Sequence, residues 1–187
     1  MLLFMLLLGQ VPYEYLVIPY KKTHLALWTL PLKELALAGG AFAIAGSLPQ
    51  GQNSSALIRL LERLIPFSGV FFATTMVCFG ICHFLYTPSI VDMVPSWLPG
   101  HYFCTYFAAV ALIAGGVAIA IRVWLKPAAI LMGTMIFIWF IFLHVPGAIE
   151  LPLIDQGNLI TAAFSALAFS GIAFVIAGES KKQLNVF

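Results

Sequence analysis

The chain has 187 residues, of which 62% are hydrophobic and 9% are charged, and its formal net charge is +2. Soluble domains contain about 25% charged residues, so this composition excludes a protein that faces water on all sides. The small, dispersed positive charge gives no indication of nucleic-acid binding, and three cysteines cannot close a disulfide framework.

Several apolar runs are long enough to cross a membrane, since about 20 helical residues span a hydrocarbon core about 30 Å thick. Backbone polar groups in lipid have to be paired within a helix or across a closed barrel. Barrel strands would alternate apolar and polar residues, whereas these runs are apolar on every face. The sequence therefore predicts an all-α, polytopic transmembrane helix bundle of about six helices, the first of them short.

The first part of the chain predicts helices of unequal length. An apolar run at residues 1–11 is too short to span a membrane, and a polar stretch follows it. A second helix is predicted over residues 32–48, before a linker rich in Gly, Gln, Asn and Ser. Residues 56–65 carry charged side chains on one face at helical spacing, so they predict a short amphipathic helix along the membrane surface.

Four further helices complete the predicted bundle. They are expected at residues 67–86, 102–121, 127–145 and 158–177. The loop after the first of these reads Val-Pro-Ser-Trp-Leu-Pro-Gly, and its prolines are incompatible with a regular helix. Trp97 in this loop is typical of the headgroup region. Pro146 is expected to end the helix that precedes it.

The short N-terminal run predicts further chain before it. Residues 1–11 would form about 16 Å of helix, roughly half of a hydrocarbon core. We therefore expect that the sequence starts inside a helix and that residues precede Met1, giving eight helices if the duplication described next is complete. The alternative is a half-helix that a partner subunit or a re-entrant fold caps.

An internal repeat divides the chain. Residues 36–47, Ala-Leu-Ala-Gly-Gly-Ala-Phe-Ala-Ile-Ala-Gly-Ser, match residues 168–180 with one insertion, and upstream of each a proline follows an apolar run. This order favours duplication, although helices rich in small residues can resemble one another by composition alone. Three parts are predicted: an N-terminal helix pair at 1–48, a linker with the surface helix at 49–65, and a four-helix module at 66–187.

Basic residues indicate the orientation, because they concentrate on the cytoplasmic side of membrane proteins. With helices two to six alternating in direction, one side collects Arg59, Arg63, Arg122, Lys126, Lys181 and Lys182. The opposite side holds Lys21, Lys22 and Lys33 together with most of the acidic residues. The sequence therefore predicts a cytoplasmic C-terminus and outward-facing loops at 87–100 and 145–157.

The stretch over residues 79–119 resembles the DoxX-like (DoxX/DoxD) family of membrane proteins. The pattern of that family is a helix ending in Gly-x-x-His-Phe, a loop with Val-Pro-x-Trp-Leu/Ile-Pro-Gly, and a helix rich in Gly and Ala. The matching residues are Gly80, His83, Phe84, Val94, Pro95, Trp97, Leu98, Pro99 and Gly100. A later Leu-His-x-Pro is matched by Leu143, His144 and Pro146, whereas Gly147 stands where longer members commonly have Arg.

The resemblance extends over residues 67–177, and the repeat suggests the longer, duplicated form of the family. It implies a four-helix module in the bacterial cytoplasmic (inner) membrane. Some members are linked to thiosulfate:quinone oxidoreduction and others to oxidative-stress partners. The resemblance therefore implies a multi-pass protein that contacts membrane lipid and other membrane protein subunits.

Ionisable side chains at membrane depth are costly and usually face the bundle interior or a wet cavity. His83 and His144 are predicted at helix ends on the outward side, where they are candidates for a ligand or proton pocket. Further candidates on that side are Glu34, Tyr86, Asp92, Trp97 and Glu150. In the alternative interpretation the histidines only bond loop carbonyls, and Glu34 only favours its helix N-terminus rather than pairing with His144 or Lys33.

No motif in the sequence indicates autonomous catalysis or a metal site. No His, Asp or Glu cluster has the spacing of metal ligands. Cys78 and Cys82 are four residues apart rather than in a Cys-x-x-Cys redox motif, which favours packing thiols. The function expected is an accessory subunit of a redox or respiratory-type membrane assembly, with an outward pocket for quinone, lipid or another amphipathic ligand. The alternatives are a purely structural subunit and a small-solute transporter. The transporter has less support, because no helix is broken by Pro or Gly at mid-membrane, as transport sites usually require.

Overall fold

The computed structural model describes residues 28–48, 55–150 and 158–184, with side chains through residue 178. Within these ranges every regular element is a helix and none is a strand. The predicted all-α fold is therefore confirmed. The short apolar run predicted at residues 1–11 lies outside the described residues.

Long helices alternate with short ones in the described part of the chain. The long helices are α1 (Thr29–Ser47), α3 (Ser68–Leu85), α5 (His101–Ala120), α6 (Leu125–Trp139) and α8 (Asn158–Leu184). The short elements are α2 (Ala56–Glu62), a 3₁₀ turn (Ile65–Phe67), α4 (Thr87–Val91), a π turn (Phe140–His144) and α7 (Val145–Glu150). Each long helix corresponds to one predicted from its apolar run.

Four of the described stretches are long and apolar enough to cross a membrane. They are Ala56–Leu85, His101–Ala120, Leu125–Glu150 and Asn158–Gly178. Large apolar side chains on their outer faces, such as Phe103 and Phe164, are exposed. Lipid contact accounts for such exposure, since a soluble protein rarely exposes large contiguous apolar patches. The chain is a multi-pass membrane protein.

The five long helices close into a ring. Helix α1 packs against α3, α3 against α5, α5 against α6, α6 against α8, and α8 against α1. The central contacts join buried side chains from across the ring, including Phe72, Met76, Met132 and Phe169. Helix α1 therefore packs into the same bundle as the long helices that follow it.

Glycines allow neighbouring helices to approach at backbone distance. A β-carbon on Gly80 of α3 would lie 2.7 Å from the carbonyl oxygen of Ala109 on α5. One on Gly39 of α1 would lie 2.7 Å from the carbonyl oxygen of Ser68 at the start of α3. Close approach of this kind increases the van der Waals contact that holds helices together in lipid.

Two buried hydroxyls also join neighbouring helices. The Thr75 hydroxyl on α3 donates to the carbonyl of Leu32 on α1 at 2.7 Å. The Ser170 hydroxyl on α8 donates to the carbonyl of Gly133 on α6 at 2.9 Å. The Thr75 hydroxyl also lies 3.4 Å from the carbonyl of Phe71 in its own helix. Both bonds between helices give a buried hydroxyl a partner in an apolar interior.

Pro146 does not end a helix, contrary to the prediction. Helix α6 widens into the π turn, and helical structure continues through α7 to Glu150. The Val145 N–H donates to the carbonyl of Phe140, five residues earlier. In a regular α-helix, proline lacks a donor and clashes with the carbonyl four residues before it. The wider turn shifts the pairing just ahead of Pro146, so the helix accommodates the proline.

The loop predicted at residues 87–100 begins with a short helix instead. Residues Thr87–Val91 form α4, with Pro88 in its first turn, where the missing N–H is tolerated. Residues 92–100 contain no regular helix, as their prolines predict. This segment ends at Gly100, whose φ of 74° suits glycine, directly before α5 begins.

Candidate functional site

A cavity of about 410 Å³ lies between α1, α3, α5, α6 and α8. Most of its wall is apolar and includes Met76, Leu112, Met135, Trp139 and Phe169. Small-molecule sites are typically clefts of about 300–1,000 Å³ with apolar walls and a few placed polar groups. The volume and lining of this cavity match that description.

Polar side chains line the cavity near one end of the ring. They are Thr29 and Lys33 in the first turns of α1, His83 in the last turn of α3, His144 in the π turn, and Asn158 at the start of α8. They come together because α1 and α8 begin at this end, whereas α3 and the helix containing the π turn run towards it. The sequence folds so that each of four segments brings at least one polar group to the same space.

The character of the wall changes along the helices. On α8 the lining runs from Asn158 to Phe169, a separation of about 16 Å at 1.5 Å per residue. Between them, the Ser165 hydroxyl donates to the carbonyl of Thr161 at 2.8 Å, so it is satisfied within its own helix. The cavity thus has a polar end and an apolar end, and it suits a molecule with a polar head and an apolar tail.

His83 has one ring nitrogen fixed by its own helix. The Nδ1 atom lies 2.7 Å from the carbonyl oxygen of Phe79. Because a carbonyl only accepts hydrogen bonds, Nδ1 carries the proton in this contact. The Nε2 atom of a neutral ring is then an acceptor, which can receive a hydrogen bond from a ligand hydroxyl.

His144 and Lys33 form the other part of the polar end. His144 is half-buried, and its ring has no hydrogen bond among the described residues. Lys33 is also half-buried, and no described side chain pairs with its ammonium. The two groups lie close enough to interact electrostatically. Together they offer donors for an oxygen-bearing ligand.

The structure brings together two of the seven predicted site residues. His83 and His144 line the same cavity. The cavity lining does not include Glu34, Tyr86, Asp92, Trp97 or Glu150. The acidic partner that the sequence predicts for the histidines is therefore not on this wall, and Lys33 lies there instead.

The positions of the acidic residues explain this difference. Glu34 follows Lys33 directly on α1, and consecutive helical residues point about 100° apart. Its Oε2 atom is buried and has no hydrogen-bond partner among the described residues. Asp92 and Glu150 are exposed at the ends of short helices.

The two predicted aromatic candidates do not line the cavity. Trp97 is 60% exposed and packs edge-on against Phe142, with ring centroids 6.0 Å apart. Tyr86 is half-buried at the C-terminal end of α3. An exposed Trp beside a helix end is typical of the membrane interface.

Lys33, Thr29 and Asn158 line the cavity without having been predicted as site residues. The sequence pointed to Lys33 only as a partner of Glu34. An ammonium within the first turns of an apolar helix is itself an indicator of function, because such charges are costly at membrane depth. Thr29 and Asn158 carry no comparable signal in the sequence.

The cysteines do not form a reactive pair. Cys78, Cys82 and Cys104 are free thiols, and the buried Cys82 contributes to the cavity wall. In the described part of the chain, no three His, Cys, Asp or Glu side chains cluster in a way that could hold a metal ion.

Comparisons with family models, with curated proteins and with solved structures found no match for this chain. The resemblance to the DoxX-like family therefore stays a prediction that rests on the motifs in residues 79–119.

Proposed function

We propose that this membrane protein binds an amphipathic molecule, a quinone or another lipid-like ligand, in the cavity between its helices. The observation that supports this proposal is the change from a polar to an apolar wall along one cavity. A ligand head would lie near Lys33, His83 and His144, and its tail would lie against Met76 and Phe169. The role of an accessory subunit in a redox or respiratory-type assembly rests on the DoxX-like resemblance alone.

The chemistry of the polar end is compatible with a quinone. Quinone carbonyl oxygens accept hydrogen bonds, which the Lys33 ammonium and a His144 ring N–H can donate. A hydroquinone hydroxyl can instead donate to Nε2 of His83, whose Nδ1 is occupied by the Phe79 carbonyl. Both redox forms would thus have a partner at this end.

Charge placement supports an outward-facing polar end. The basic residues Arg59, Arg63, Arg122 and Lys126 lie near the opposite helix ends from the cavity's polar groups. There the Arg122 guanidinium donates to the carbonyl of Pro66 at 2.8 Å. Because basic residues concentrate on the cytoplasmic side, the ligand head would lie at the outer side of the bacterial inner membrane.

Filling the cavity tests the proposal. Ala166 lines the cavity and is 6% exposed, so Ala166→Phe should occupy the space of the ligand tail. Gly171, on the same helix, has nothing within 4 Å of a β-carbon position, so Gly171→Phe is the matched control. Binding of decylubiquinone to the purified protein should weaken at least about tenfold in Ala166→Phe and stay unchanged in Gly171→Phe.

Two results would contradict the proposal. Unchanged binding in Ala166→Phe would mean that the ligand lies elsewhere. If the wild-type protein retains no quinone, lipid or other amphiphile after gentle purification and binds none that is added, the alternative of a purely structural subunit is favoured.

A further inference from the structure

We infer that the head of the ligand is an anion, and that the cavity takes a single-chain amphiphile with a carboxylate head, such as a long-chain fatty acid. This inference rests on the proposed function and specifies its ligand class. It is carried by the placement of Lys33 and His144 at the polar end of an otherwise apolar cavity.

The charges along the described lining of the cavity are unbalanced. The described lining includes the ammonium of Lys33 but no Asp or Glu, and no described residue forms an ion pair with that ammonium. A cation between apolar walls is costly unless an opposite charge compensates it. A bound carboxylate supplies that charge and also gains the stronger, charge-assisted hydrogen bonds.

The hydrogen-bond donors suit a compact head. An ionised carboxylate has two acceptor oxygens on one carbon and no donor. Lys33 and His144 both line the polar end of the cavity, so we assign one oxygen of the head to each of them. A quinone carries its carbonyls on opposite sides of a ring, and the described apolar end offers no comparable donor pair for the second oxygen.

The rest of the cavity suits a flexible chain. Met76 and Met135 line it together with Leu112 and Phe169. Methionine side chains are unbranched and adapt to irregular shapes, which allows them to follow an alkyl tail. The wall from Asn158 to Phe169 extends for about 16 Å along α8, so the tail can run inwards from the head.

The test compares ligands that differ only in the head. The full chain, purified in a neutral maltoside detergent, is incubated with radiolabelled palmitate, and unlabelled palmitate or hexadecanol is added as competitor. Hexadecanol has the same chain length without the charge, so it should compete at least about tenfold less well. Equal competition by the two compounds would overturn the inference.

Variants at Lys33 test whether the preference for palmitate depends on the cavity. Lys33→Gln should weaken palmitate binding at least about tenfold, because a charge-assisted hydrogen bond is lost, whereas Lys33→Arg should retain most of it. Lys126→Gln removes an exposed charge at the start of α6, at the other end of the ring, and should have no effect. If Lys33→Gln fails to fold, the competition on the wild-type protein decides alone.

The outcomes separate this inference from the proposed function. If palmitate and hexadecanol bind equally and Ala166→Phe blocks both, the cavity binds amphiphiles but does not select an anion. If decylubiquinone binds and palmitate does not, the carboxylate inference fails and the quinone proposal is favoured. If none of the three binds, both the inference and the proposed function fail.

Discussion

Thr75 connects two helices through a single buried hydroxyl. It is fully buried on α3 and donates to the Leu32 carbonyl on α1 at 2.7 Å. Thr75→Val keeps the shape but removes this bond, so we expect the protein to lose about 0.6–1.7 kcal/mol of unfolding free energy in detergent or bilayer titrations. Thr74→Val is the control, because the Thr74 hydroxyl bonds only the Val70 carbonyl of its own helix. Equal losses in both variants would mean that the bond between helices contributes nothing specific.

The sequence predicts some residues of the site but not others. The depth of His83 and His144 in apolar segments indicated a buried polar environment, and the structure places both on one cavity wall. The positions of Lys33 and Glu34 in the sequence do not tell which of the two lies beside these histidines. That depends on the rotation of α1 about its axis, which contacts with α3 and α8 determine.

At the scale of helices, the contact between α3 and α5 depends on the absence of a side chain at Gly80. A β-carbon there would lie 2.7 Å from the Ala109 carbonyl oxygen, which is too close for the backbones to stay in place. Gly80→Ala should therefore destabilise the protein by about 1–3 kcal/mol, as overpacking does. Gly171→Ala is the matched control, since the space around it is open. A Gly80→Ala variant that unfolds at the same denaturant concentration as this control would contradict the predicted contact.

Because a π turn precedes Pro146, we predict that replacing this proline changes the free energy of unfolding only slightly. Proline inside a regular helix costs about 3 kcal/mol or more, and Pro146→Ala would recover that amount if the helix were strained. Because the Val145 N–H already pairs with the Phe140 carbonyl in the wider turn, we expect a change below about 1 kcal/mol. Pro88→Ala, in the first turn of α4, is the control in the same unfolding titration. A stabilisation near the full cost of a helix proline would show that the turn does not accommodate Pro146.

The helices themselves were predictable, because apolar runs of spanning length have few other structures available in lipid. The ends of these helices were less predictable. Pro146 was expected to end a helix, since the rule for proline assumes regular α-helical pairing, and the π turn changes that pairing. The short helix α4 was not predicted, although Pro88 is compatible with its first turn, where proline is favoured.

At the scale of the whole molecule, the ring of helices and the full lining of its cavity were beyond sequence reasoning. Apolar composition places a helix in the membrane but does not determine its neighbours, since lipid tails are as apolar as leucine side chains. The closing contact between α1 and α8 joins residues that are far apart in sequence, such as Gly40 and Ile172. The cavity exists only because five helices enclose it, so its lining could not be derived from any one of them.

The orientation of the ring in the membrane gives the last prediction. Arg59, Arg63, Arg122 and Lys126 lie at one end of the ring, and the polar end of the cavity lies at the other. From the positive-inside rule we therefore predict that the cavity's polar end lies outside the cytoplasm.

Accessibility labelling tests this orientation at two exposed serines, Ser96 near the cavity's polar end and Ser55 at the start of α2. In a background without Cys78, Cys82 and Cys104, a membrane-impermeant maleimide added to intact cells should label Ser96→Cys but not Ser55→Cys. Inverted membrane vesicles should give the opposite pattern, because the impermeant reagent reaches only the face that is turned outwards. The reverse result would place the polar end of the cavity on the cytoplasmic side, and the ligand head with it.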